Sequence, residues 1–117
     1  MRNAPIIQIH SNAATYDFPA VYAAQLYGIS VQAFQGDSTA AGTVKLQASN
    51  DYIAGANVGS FVPTNWIDIP NTSQTVTAGS AIIIPYLQIC YQWVRVVWTE
   101  TTPGTSTITA EINVQGI

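Results

Sequence analysis

From Thr107 to Val114 the chain alternates without a break. Ile108, Ala110, Ile112 and Val114 are apolar, and Thr107, Thr109, Glu111 and Asn113 are polar. A period of two sends successive side chains to opposite faces of an extended strand, so this segment offers one face to a core and the other to its surroundings. The same rhythm recurs upstream. Tyr27, Ile29, Val31 and Ala33 share a face, as do Val44, Leu46 and Ala48, and as do Val94, Val96 and Trp98. A helical period of 3.6 is nearly absent, although Val21–Leu26 is compatible with a single helical turn. Pro19, Gly36–Gly42, Pro70-Asn71, Ala78-Gly79 and Pro103-Gly104 punctuate the runs with residues that favour turns. Seven to eight short strands separated by turns predict an all-β chain, an antiparallel β-sandwich or jelly roll.

Two segments break the alternation. Ala81-Ile82-Ile83-Ile84 is apolar throughout and reads as a strand buried on both faces, with Pro85 ending it or placing it at an edge. Trp93–Trp98 is also apolar on both sides, because Trp93 and Val97 flank Arg95 on the face opposite Val94, Val96 and Trp98. Such a strand is central in the sandwich, or its outer face is covered by another subunit.

The polar surface of this chain is almost uncharged. Three basic and six acidic residues make up 8% of the sequence, against about 25% in ordinary soluble domains. A surface of Thr, Ser, Asn and Gln is cheaper to desolvate than one of charges, which suits a protein packed against neighbours. The cations are Arg2, Lys45 and Arg95. They make no basic stripe for nucleic acid and no patch for an anionic membrane. No apolar run reaches the ~18 residues of a transmembrane helix. The sequence shows no basic start followed by an apolar signal segment, so assembly in a host cytoplasm is expected. Cys90 lies in an apolar stretch and reads as a small buried hydrophobe.

The residues that carry chemistry are sparse. With one histidine, His10, and one cysteine, a transition-metal site of three or four N/S ligands does not fit within the chain, and no cofactor motif is present. An oxygen-only Ca²⁺ site would have to use Asp51, Asn50 and loop carbonyls. Asp51 and Asp68 flank one loop and are the carboxylates best placed to approach each other, but a hydrolase would need them joined with His10. Tyr52 and Trp66, in or beside that loop, are the candidates for stacking a sugar. No catalytic residue is assigned. Arg95 is expected to pair with Glu111 or with a group on another subunit.

Three stretches taken together carry a resemblance. They are Gly42–Asp51 (GTVKLQASND), Asn65–Pro70 (NWIDIP) and Tyr91–Thr99 (YQWVRVVWT). Their order, with a Gly/Thr-rich last strand, resembles small β-sandwich structural proteins of tailed bacteriophages, such as capsid decoration proteins. The resemblance covers roughly residues 26 to 116. It implies a non-enzymatic virion protein that contacts other copies of itself, with a homotrimer favoured, and the major capsid protein or another virion component. Discoidin-like and carbohydrate-binding sandwiches share the rhythm, and a carbohydrate-binding module is the alternative. Residues 1–25 fall outside the resemblance and are expected to form an N-terminal arm and first strand, with 26–117 as the sandwich. The expected contact residues are Ile6, Ile7 and Ile9 of the arm, and Trp93 and Arg95 on an outward aromatic face.

Overall fold

The computed structural model describes residues 6–11, 15–24, 26–36, 40–51, 62–102 and 107–116. Among the described residues ten strands run in chain order: β1 (Ile6–Ser11), β2 (Thr15–Asp17), β3 (Val21–Tyr22), β4 (Leu26–Gln35), β5 (Ala41–Ser49), β6 (Ile67–Asp68), β7 (Gln74–Val76), β8 (Ala81–Gln88), β9 (Trp93–Thr102) and β10 (Thr107–Gly116). They form two antiparallel sheets. Sheet A has the order β1-β10-β4-β8, and sheet B the order β2-β9-β5-β6, with β3 also on β9 and β7 also on β5. Taking β2 with β3, and β6 with β7, as broken halves of single strands gives eight. First then pairs with eighth, second with seventh, third with sixth and fourth with fifth, which is the jelly-roll arrangement.

The alternation places the core between the sheets. Ile29, Val31 and Ala33 of β4 meet Ile108, Ala110, Ile112 and Val114 of β10 on one side. Val44 and Leu46 of β5 and Val94, Val96 and Trp98 of β9 face them from the other. Trp98 is fully buried, and its indole occupies the space beside Gly42. Its Nε1 is buried with no hydrogen-bond partner among the described residues. That costs about 1–3 kcal/mol, and it is set against burial of the largest side chain in the core.

Several segments depart from the sequence reading. Val21-Tyr22 is a strand, not a helical turn, because Val21 and Tyr22 pair with Val94 and Trp93. The three strands before residue 25 join the two sheets: β1 closes on β10 over six consecutive pairs, and β2 and β3 close on β9. Ile83 is 60% exposed. The Ala81–Ile84 run is therefore buried on one face only, because the outer face of a strand in a two-layer sandwich turns away from the core. Pro85 falls where β8 bulges against β4, since Ile29 pairs with Leu87 and Val31 with Ile84. A proline lacks the N–H that a central strand must donate, and an edge bulge tolerates that loss. Cys90 is exposed, not buried.

Two tight turns use the residues their geometry demands. Asn71 (φ 64°) follows Pro70, and Gly79 (φ 66°) sits where Ser80 N–H donates to the Thr77 carbonyl. A positive φ after a proline, or at the third residue of a closed four-residue turn, is the type II pattern. Thr72, just past the first turn, is 1% exposed. Its Oγ1 accepts from Leu46 N–H at 3.1 Å and donates to the Ile69 carbonyl at 2.8 Å.

Two substitutions test this packing. A Cβ at Gly42 would lie 2.7 Å from Trp98 Cη2 and would also meet the Thr99 carbonyl oxygen. Gly42→Ala should therefore lower the unfolding free energy by about 2 kcal/mol, read from the urea midpoint. Thr72→Val strands the Leu46 N–H and should cost about 1–3 kcal/mol, whereas Thr72→Ser should retain most of the stability. Equal losses for the valine and serine variants would contradict the hydrogen-bonding role.

Candidate interaction surface

The outer faces of the two sheets differ in chemistry. On sheet B two ion pairs, Lys45–Asp68 and Arg95–Asp17, lie side by side. Lys45 Nζ lies 3.0 Å from Asp68 Oδ2. Arg95 donates through Nε and Nη2 to Gln47 Oε1, at 2.9 and 2.8 Å, and its Nη1 lies 3.4 Å from Asp17 Oδ2. Gln47 Nε2 in turn donates to Asp68 Oδ1 at 2.9 Å. The Arg95 guanidinium also stacks 4.3 Å from the centre of the Trp66 ring, a cation–π contact. The expected Arg95–Glu111 pair does not form, because Glu111 stands on β10 of the other sheet.

Trp93 faces the same side but is only 7% exposed, with Tyr22 edge-on at 5.0 Å. The aromatic surface expected around Trp93 is thus covered by the chain itself. Trp66 has one ring face occupied by Arg95, which leaves at most the other for a sugar. Tyr52 lies outside the described residues.

Asp51 and Asp68 border one concavity of about 540 Å³, lined also by Asn50, Asn65, Pro70 and Tyr91. Their proximity matches the sequence expectation, but both carboxylates are already engaged. Asp51 Oδ2 accepts from the backbone N–H of Thr64 (2.8 Å) and Asn65 (2.9 Å), and Oδ1 accepts from Asn65 Nδ2 (3.0 Å). The Asn65 and Thr64 bonds hold its pKa down at about 2. Asp68 is lowered as well, first by Gln47 and then by Lys45. Asp51 therefore clips the 62–66 segment to the end of β5. His10 sits on β1 of sheet A, away from β5 of sheet B that Asp51 and Asp68 flank. Among the described residues, no group of three or more His, Cys, Asp or Glu is placed to hold a metal ion.

Sheet A presents a different outer face. Its register aligns Ile7, Glu111, Gln32 and Ile83 in one row across the four strands, and Ile9, Thr109, Phe34 and Ala81 in the next. Ile7 (59%), Ile9 (62%), Phe34 (44%) and Ile83 (60%) are four of the seven large hydrophobic side chains exposed among the described residues. Glu111 is the only charged residue in these two rows. Ile6, by contrast, turns inward and packs against the core. The sequence reading reached Ile7 and Ile9 but missed Phe34 and Ile83. The signal for Ile83 was the unbroken Ala81–Ile84 run, whose outer half lies on the uncovered face of sheet A.

No protein-family model, curated protein or solved structure matches this chain.

The Asp51 clip has a pH signature. A carboxylate whose folded pKa is depressed stabilises the fold above its unfolded pKa, and that contribution is lost as the pH falls through the folded value. The thermal midpoint should therefore decline from about pH 4 towards pH 2. Asp51→Asn should lower the midpoint at pH 7 and flatten this part of the profile. An unchanged acid profile in Asp51→Asn would remove the clip from the account.

Proposed function

We propose that this chain is a non-enzymatic structural component of a bacteriophage virion, a capsid decoration or auxiliary capsid protein that attaches to the particle through the outer face of sheet A. The exposed rows Ile7–Ile83 and Ile9–Phe34 carry the proposal. Four large apolar side chains on one sheet face are the mark of a surface made to be covered. Their low-charge surroundings reduce the desolvation cost of covering them. Glu111 sets the chemistry of the counterpart, because a carboxylate buried in an interface needs a cation opposite it. The shell protein should thus offer an apolar patch with a Lys or Arg facing Glu111. The resemblance of the Gly42–Asp51, Asn65–Pro70 and Tyr91–Thr99 stretches supports the same reading. Jelly rolls serve widely in viral capsids, an analogy at the level of fold alone.

Immunogold labelling of tailed-phage particles, purified from a lysate that carries this coding sequence, should decorate the particles. Stripped particles should rebind the purified protein in sedimentation. Phe34→Ser/Ile83→Ser and Glu111→Lys should each reduce rebinding at least tenfold with unchanged circular dichroism. Unlabelled particles, or rebinding indifferent to all three positions, would overturn the proposal.

A further inference from the structure

The edges of the two sheets are not equally protected. In sheet B the strands at the margins are two or three residues long: β2, β3, β6 and β7. Short edge strands offer little to a passing strand. In sheet A the two edges are β8 and β1. β8 carries Pro85 and a bulge near its middle. β1 is six residues long, with neither proline, lysine nor carboxylate, and it pairs with β10 without a register shift. Among the described residues, its backbone bonds to no strand other than β10. It is the one long edge in the described structure with none of the usual defences.

That asymmetry fixes the symmetry of any assembly made by extending the sheet. A ring or filament needs a head-to-tail contact, with β1 of one copy on β8 of the next. Pro85 and the bulge deny β8 that role. Only β1 against β1 remains, a self-complementary two-fold contact. We infer that two copies of this chain pair their β1 strands antiparallel about a two-fold axis, joining the two A sheets into one of eight strands. The inference rests on the virion reading above, whose resemblance implies contact between copies, and replaces the expected homotrimer with a dimer.

The register follows from the side chains. Residues directly opposite in an antiparallel pair point to the same face. Centring the two-fold on Gln8 sets Ile7 opposite the second copy's Ile9, and Ile9 opposite its Ile7, on the outer face. These β-branched cross-strand pairs shield side chains now 59% and 62% exposed. On the inner face, Gln8 Nε2 donates to the Pro19 carbonyl of its own chain at 3.1 Å, so Gln8 needs no partner from the second copy on the axis. Stacking two copies face to face is the poorer choice, since it would bury two Glu111 carboxylates with no cation in either pair of rows. Edge pairing leaves Glu111, Phe34 and Ile83 free for the particle.

Light scattering of the purified chain at tens of micromolar should give twice the 12.5 kDa of one copy. Ile7→Lys/Ile9→Lys sets like charges opposite each other across the axis and should raise the dimer dissociation constant at least tenfold. Mixing it with Ile7→Glu/Ile9→Glu should restore a dimer, which a misfolded variant could not do. A monomeric or trimeric wild type, or a dimer indifferent to the lysines, would overturn the inference. A monomer that still coats particles would remove the dimer and leave the particle reading standing. A β1-dependent dimer that coats none would do the reverse.

Discussion

The two sheets hold together because alternate side chains of four long strands, β4, β5, β9 and β10, meet in one layer, and Trp98 is its bulkiest occupant. The indole fits only because Gly42, diagonal to it on β5, has no side chain. This contact ties β5 to β9, the central pair of sheet B, and places Val44 and Leu46 against the β4–β10 half of the core. The outer faces inherit their contents from that inward registration. Once Val94, Val96 and Trp98 point in, Arg95 must point out, where Asp17, Gln47 and Trp66 surround it. Once Val31, Ala33, Ile82 and Ile84 point in, Phe34 and Ile83 must point out, where nothing described covers them.

The strands with clean alternation were legible in the sequence, because a period of two leaves no choice of face. Ile108 to Val114 and Val44 to Ala48 lie as the pattern requires. The sandwich class follows from the same rule applied to each strand. The uniform runs were harder. Ala81–Ile84 has the same composition whether its second face meets protein or solvent, and only the two-sheet architecture shows that its outer face lies away from the core. Cys90 was misjudged because the burial habit of cysteine is an average over proteins, while its own position just beyond β8 is exposed.

The candidate surface was half legible. Ile7 and Ile9 stood out as apolar residues outside the resemblance, yet their neighbours in space, Phe34 and Ile83, belong to strands distant in sequence. Register alone reveals that they share two rows. The partners of Arg95 were hidden for the same reason, since Asp17, Gln47 and Trp66 come from three separate segments. Asp51 and Asp68 did converge on one concavity, but the backbone donors that occupy Asp51 leave no trace in the pattern of residue types.

Sheet A has β10 at its heart, between β1 and β4. The segment that zips this sheet is therefore the last of its strands to be translated. Until residues 107–116 have left the ribosome, β1 has no neighbour and β4 has β8 alone. Closure of long sequence separations is slow, so in a nascent chain the isoleucines of β1 wait without a sheet neighbour until β10 has been made.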